Sequence, residues 1–356
     1  MTVPSFHPLS LAAVRPETAD AVTLRFAVPA ALRDAYRFTP GQYLTLRTTL
    51  DGAEVRRSYS ICSTPDEPDL RVAVKRVEGG LFSTWACRSL RAGDVLDVMT
   101  PDGRFGLPPA TGPRVVAAFA AGSGITPILS ILSHGLAAEP DSRFFLFYGN
   151  RSTASIMFRG ALEDLKDRYL ARLSVFHVLS REQQDVPALN GRLDPASLGI
   201  LLRGLLPARL IDQALVCGPQ PMIEGLGTAL GDLGVPPARV HVERFTPAAG
   251  GRPRPPEVAA AAPPAAVVTV ICEGSRTDLP VAAGETIIDA ATRAGRALPW
   301  SCRGGMCCTC RAKVLEGRVE MAVNYSLEPW ETAAGFVLTC QSRPVTDRVV
   351  VDYDQV

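Results

Sequence analysis

The chain has 356 residues, 47% of them hydrophobic and 21% charged, which calls for two or three domains and excludes wholesale disorder. Lysine and arginine number 37 against 36 acids, a net charge of +1, so there is no field to hold nucleic acid or an anionic membrane. Apolar runs such as Val115–Ala121 fall far short of the roughly 18 residues of a membrane span, and the N-terminus lacks the basic start and apolar stretch of a signal peptide. The expectation is a cytoplasmic protein with neither a nucleic-acid nor a membrane partner.

Residues 1–110 carry short alternating runs: Val22–Phe26, Tyr43–Arg47, Ser58–Ile61 and Leu70–Lys75. Turn formers such as Pro40-Gly41, Asp51-Gly52 and Gly79-Gly80 separate them, and this spacing predicts a β-barrel or sandwich. Over 111–247 strand-like runs (Val115–Ala121, Phe144–Tyr148, Leu173–Leu179, Ala214–Cys217, His241–Phe245) alternate with helix-like ones (Pro127–Ala137, Phe158–Tyr169, Asp194–Leu205, Pro219–Leu233). That rhythm predicts an α/β domain with a parallel sheet and helices on both faces. Ala248–Ala266 is almost all Ala, Gly and Pro and reads as a linker. Over 267–356 a hairpin (Val267–Ile271, Thr277–Val281), a helix (Thr286–Arg296), a cysteine-rich loop, a strand at Ala312–Leu315 and a last strand at Val349–Asp352 predict a small α+β domain.

Four of nine cysteines crowd into 302–310, where Ser301–Arg311 reads SCRGGMCCTCR. Cys302, Cys307 and Cys310 make C-x4-C-x2-C, and Cys340 follows after 29 residues. This is the plant-type spacing for a [2Fe–2S] cluster. Four thiolates must converge on two irons, and Gly304-Gly305 allows the tight turn that brings three of them from one loop. A zinc ribbon would repeat C-x2-C, and a Rieske centre would need two histidines, yet all four (His7, His134, His177, His241) precede the linker. A C-x-x-C redox pair would leave Cys302 and Cys340 unexplained. Cys308 is the spare thiol.

Glycine-rich loops mark the other two sites. Ala120–Pro127, AAGSGITP, follows a strand and opens a helix, so Gly122 and Gly124 would let a pyrophosphate approach the helix N-terminus. Cys217–Met222, CGPQPM, lies at a strand end, where open parallel sheets bind ligands.

Arg57-Ser-Tyr-Ser60, Gly79–Ser83 (GGLFS), the G-x-G-x-x-P at 122–127, Ser180-Arg181-Glu-Gln and Cys217–Met222 together resemble, in order, the motifs of the ferredoxin–NADP reductase superfamily. The resemblance implies an antiparallel flavin-binding β-barrel, a nucleotide-binding α/β domain and a β-grasp ferredoxin. It implies that Arg57 pairs with the flavin phosphate, Tyr59 lies against the ring, Ser60 bonds near N5, Val74 and Lys75 lie on a flavin-contacting strand, and Gly80 and Ser83 shape the pyrophosphate loop. It places Thr126 near the nicotinamide, Cys217 and Gly218 beside hydride transfer and Glu243 and Phe245 near the flavin. Ser180 and Arg181, with help from Arg151 and Ser152, would meet the 2′-phosphate of NADPH. The domain order implies FAD rather than FMN.

Flavin, nicotinamide and ferredoxin in this order resemble the reductase components of multicomponent bacterial oxygenases. RAKVLEG (311–317), NYSLEP (324–329), GFVLTCQ (335–341) and VVVDYD (349–354) resemble the reductase subunits of the phenylacetyl-CoA epoxidases, which implies a di-iron oxygenase as electron acceptor. A reductase for another oxygenase and a general redox shuttle are the competing expectations.

Overall fold

The computed structural model describes residues 4–245 and 264–355. His7–Val55 with Tyr59–Phe245 make one compact unit, and the other is built on the C-terminal residues.

The first sheet comprises β1 (Phe6–Thr18), β2 (Ala21–Ala27), β3 (Tyr43–Leu50), β4 (Ala53–Ser60), β5 (Leu70–Lys75) and β6 (Val95–Met99), ordered β4-β3-β6-β1-β2-β5. Alternation builds its core: Val22, Leu24 and Phe26 of β2 turn inward onto Leu9, Leu44, Leu46, Val72 and Val98, while Thr23 and Arg25 stay at the surface. The edge strands close through the Ile61–Val72 bridge and the Cys62 amide on the Arg71 carbonyl, 2.9 Å, which completes the barrel. Ile61, expected inside the strand, lies just beyond β4, which ends at Ser60. Helix α1 (Leu81–Ser89) follows β5 and buries Phe82 and Ala86 in the barrel.

In the second sheet, β7 (Val115–Ala121), β8 (Arg143–Asn150), β9 (Leu173–Leu179), β10 (Gln213–Cys217) and β11 (Val240–Glu243) are all parallel, ordered β11-β10-β7-β8-β9. Both faces are covered, which is why β7 reads as an unbroken apolar run. Val116, Ala118 and Ala120 pack with Ile128 and Leu132 of α2 (Ile125–Ala138) and with Leu162 of α3 (Arg159–Arg168). Ala117 and Phe119 face Leu198 and Leu201 of α4 (Pro195–Gly204) and Leu226 of α5 (Gln220–Asp232). Phe119, Phe147 and Phe176 stack across three neighbouring strands, with centroids 5.2 Å apart at each step. The strand order reverses between β7 and β10, so the crevice beyond their carboxyl ends is the place for a ligand.

The C-terminal unit has β12 (Pro264–Cys272), β13 (Ser275–Ala282), α6 (Ile287–Arg293), β14 (Arg311–Glu316), β15 (Val319–Met321), α7 (Pro329–Ala333), β16 (Phe336–Leu338), β17 (Ser342–Pro344) and β18 (Arg348–Asp352). Its main sheet, β13-β12-β18-β14-β16, pairs β12 with β18 in parallel and its other neighbours antiparallel. Ile287, Ile288 and Ala291 of α6 are buried against it, the β-grasp arrangement. The helix stops at Arg293, short of the expected Arg296, because the chain turns left-handed at Gly295. β12 starts at Pro264, three residues inside the stretch expected as linker; 248–263 lie outside the described residues. Among the described residues no helix is long and apolar enough to cross a membrane.

Candidate functional site

Residues of the motifs gather in three places, each for a visible physical reason. At the switch point the loop after β7 meets the loop after β10. A Cβ on Gly124 would stand 2.1 Å from the Cys217 carbonyl oxygen, and one on Gly218 would stand 2.6 Å from the end of Met222. The two motifs therefore meet in one joint, which requires glycine at 124, where backbone closes in, while at 218 the flexible end of Met222 sets the limit. Gly122 is left-handed, φ +54°, with open space where its side chain would be, and its carbonyl accepts a hydrogen bond from the buried Tyr148 hydroxyl at 2.9 Å. Thr126 is buried in the first turn of α2, where its hydroxyl donates to the Ser123 carbonyl at 3.0 Å. No acidic side chain occupies that turn. A left-handed glycine with empty space above it, before an uncapped helix of this length, suits a dinucleotide pyrophosphate.

Ser60, at the end of β4, is buried and its hydroxyl donates to Glu243 Oε2 at 3.2 Å. Glu243 ends β11, and burial pushes its carboxyl up to about 8 while the Ser60 bond works the other way. Cys217 is fully buried, and burial with the nearby Glu243 holds its thiol well above the usual range, so it stays neutral. Barrel and nucleotide domain thus bring a hydroxyl, a protonated carboxyl and a neutral thiol to one place. Phe245 lies beyond the strand that was expected to include it, and is exposed.

On the barrel, Tyr59 packs on Phe82 at 5.6 Å between centroids. Arg57 is exposed; its guanidinium donates to the Arg56 carbonyl and, among the described residues, pairs with no carboxylate. Val74 is buried in the barrel core. Lys75 reaches Asp20 at 3.6 Å, and Arg151 reaches the same carboxylate at 3.0 Å. Partial burial works to raise the Asp20 carboxyl, yet the Thr18 hydrogen bond and the two cations hold it below its usual range. Nothing in the sequence singled out Asp20, which lies in the turn between β1 and β2. Ser83 spends its hydroxyl on the loop itself, accepting from the Val77 amide at 3.1 Å and donating to the Gly80 carbonyl at 3.3 Å. It holds the turn that leaves the first amides of α1 uncapped, with no acid in the first turn. A mostly apolar groove of about 400 Å³ runs from Gly79 and Gly80 past Thr84 and Trp85 to Arg88. An arginine with no carboxylate partner among the described residues, an uncapped helix start and an apolar groove fit the phosphates and the aromatic parts of a flavin nucleotide.

Beside β9, the Ser180 and Arg181 amides donate to the Asn150 and Arg151 carbonyls at 3.0 and 2.8 Å, and both side chains are exposed. Among the described residues no carboxylate pairs with Arg181. The neighbouring Glu182 accepts instead from the Thr153 amide and hydroxyl, at 2.7 and 2.6 Å.

In the C-terminal unit the thiols form two pairs. Cys307 hydrogen-bonds to Cys302 and holds it below the usual thiol range, and Cys310 does the same for Cys340. Two pairs of thiolates are what two irons require. The Gly304 and Met306 amides point at Cys302 Sγ at 3.3 and 3.5 Å, the Cys302 amide at Cys307 Sγ at 3.5 Å, and the Gly305 amide at Cys340. Amides aimed at sulfur suit ligands that carry negative charge. Arg303 and Cys308 are left-handed without being glycine, φ +49° and +54°, which is how the loop turns its sulfurs to one side.

These sites define an NAD(P)H-dependent flavin and iron–sulfur oxidoreductase. Three family models match in the same order: an oxidoreductase FAD-binding domain over residues 8–106, an oxidoreductase NAD-binding domain over 119–227 and a 2Fe-2S iron-sulfur cluster binding domain over 270–345. The chain belongs to the ferredoxin–NADP reductase superfamily, among the FAD- and [2Fe–2S]-carrying reductase components of multicomponent oxygenases. It is 47% identical to a subunit of the 1,2-phenylacetyl-CoA epoxidase of Escherichia coli, over 98% of either chain. It is 36% identical to the 3-ketosteroid-9-alpha-monooxygenase ferredoxin reductase component of Rhodococcus rhodochrous, over 97% of this chain and 96% of that one. Phthalate dioxygenase reductase shares the fold over 98% of both chains, with a TM-score of 0.58 at 22% identity.

Proposed function

We propose that this reductase takes hydride from NADPH and delivers single electrons to a di-iron oxygenase that epoxidises the ring of phenylacetyl-CoA, in the cytoplasm. The full-length 47% identity to a phenylacetyl-CoA epoxidase component is the observation that carries the choice of acceptor. The NADPH preference rests on Arg181, exposed and without a carboxylate partner among the described residues, next to Ser180. A guanidinium in that state is ready for the two charges of a 2′-phosphate.

When bound, FAD accepts the two electrons of a hydride together and passes them on one at a time to a one-electron cluster. The protein's residues hold the geometry for this. Arg57 and the α1 amides hold the flavin phosphates, and Tyr59 flanks the ring. Gly122 and Gly124 seat the nucleotide pyrophosphate, and Thr126 fixes the loop beneath it. Ser60 and Glu243 hold a proton at the hydride-transfer position, and neutral Cys217 with Gly218 closes that position to water. Cys302, Cys307, Cys310 and Cys340 hold the cluster. In this assignment the barrel covers 1–110, the nucleotide domain 111–247, and the ferredoxin domain begins by β12.

Reconstitution tests the reading. Purified protein should oxidise NADPH with a lower KM than NADH, and only a phenylacetyl-CoA epoxygenase should couple that oxidation to substrate. Arg181→Ala should raise the KM for NADPH about tenfold or more and leave that for NADH nearly unchanged. Equal effects on both nucleotides refute 2′-phosphate recognition. Equal coupling to unrelated oxygenases refutes the dedicated acceptor.

A further inference from the structure

Gln341 follows the last cluster cysteine and closes the GFVLTCQ run, where no role was read for it. Its side-chain nitrogen donates to the Arg303 carbonyl at 2.8 Å and to Cys340 Sγ at 3.7 Å. One carboxamide therefore touches both ligand segments, the loop that carries Cys302 and the turn that carries Cys340. It lies under the loop, where a Cβ on Gly305 would meet Gln341 Cγ at 3.4 Å.

The carbonyl it holds belongs to a strained residue. Arg303 is left-handed, and its side chain is anchored by an ion pair with Asp289, a bond to Thr292 at 3.0 Å and the face of Trp300 at 4.1 Å. The backbone just after Arg303 aims the Gly304 amide at Cys302 Sγ and the Gly305 amide at Cys340. Fixing the Arg303 carbonyl fixes the direction of those donors.

We propose that Gln341 is a positioning residue for electron transfer: its carboxamide ties the two ligand segments together and raises the reduction potential of the cluster through its N–H on Cys340. The sign follows from charge. The reduced cluster carries one more negative charge than the oxidised one, so a donor dipole on a ligand sulfur stabilises the reduced state more. A higher potential draws electrons forward from the flavin.

This rests on the assignment of the four cysteines as ligands, and the test separates the two. Holoprotein whose glutamine side chains carry nitrogen-15 is reduced and studied by pulsed electron paramagnetic resonance. The proposal expects a nitrogen-15 coupling that disappears in Gln341→Met. At the potential that half-reduces the wild-type cluster, the reduced-to-oxidised ratio should fall at least about threefold in Gln341→Met and in Gln341→Glu, which keeps the shape but cannot donate. No coupling in the wild type overturns the proposal, as does an unchanged potential in both variants. Should the wild-type protein give no [2Fe–2S] signal, the cysteine assignment falls instead. The wild-type coupling decides the contact even if neither variant retains its cluster.

Discussion

Gly124→Ala tests the joint at the switch point most directly. The added methyl would lie 2.1 Å from the Cys217 carbonyl oxygen, 2.5 Å from its carbon and 2.9 Å from the Gly218 nitrogen. Carbon–oxygen contacts rarely close below about 3 Å, so one backbone must retreat by roughly 1 Å from a packed sheet end. Overpacking of this kind costs about 1–3 kcal/mol, and a displacement of about 1 Å at a reacting centre costs on the order of 10²-fold in rate. Gly122→Ala is the control: its methyl meets nothing within 4 Å, so its cost is the left-handed backbone, about 1–2 kcal/mol. Stopped-flow reduction of the flavin by nicotinamide nucleotide, with dithionite reduction of the cluster as reference, measures both. Gly124→Ala should lower the hydride-transfer rate itself. Gly122→Ala, whose methyl projects where the pyrophosphate is to sit, should raise KM more than it lowers the rate. A Gly124→Ala protein with wild-type rate and stability refutes the close approach and the joint built on it.

Glu243 makes stability depend on pH. Its folded carboxyl titrates at about 8, whereas the unfolded one titrates near about 4.3. Between those values the unfolded chain binds fewer protons, so this group's contribution to stability falls as pH rises and is level above about 8. Glu243→Gln should therefore gain on the wild type in Tm by a few degrees between about pH 5 and 8; a constant difference contradicts the buried, protonated acid. Ser83→Ala should weaken FAD binding about tenfold by releasing the Val77–Gly80 turn, read by equilibrium titration of the apoprotein, and unchanged affinity would show the turn stands without it. Cys340→Ser should abolish the cluster's visible absorption while the flavin spectrum remains, and a retained cluster would remove Cys340 from the ligand set.

Local chemistry was legible from order and spacing alone. The C-x4-C-x2-C run, the glycine loops and the alternation of strands and helices are properties of neighbouring residues. Backbone sterics and side-chain period act over a few positions, so they can be read along a line. They anticipated the parallel sheet, a small α+β unit and four thiols at cluster spacing without any knowledge of packing, while the β-grasp came from the resemblance.

What the sequence left undecided lies between distant residues. Glu243 and Phe245 were both expected near the flavin, and no motif told that the Glu243 carboxyl lies on Ser60, 183 residues away, where burial keeps it protonated. Ser83 was expected to shape the pyrophosphate loop, and only the fold shows by which bonds, with its hydroxyl on Val77 and Gly80. Asp20, joined to Lys75 and Arg151, lies in no motif, and Gln341, reaching Arg303, closes one without showing a role there, because an Asp or a Gln gains its role only from what the chain folds against it. Burial and hydrogen-bond partnership are three-dimensional quantities, so tertiary structure alone decided which polar groups are shared, which stay neutral and which remain open to a ligand.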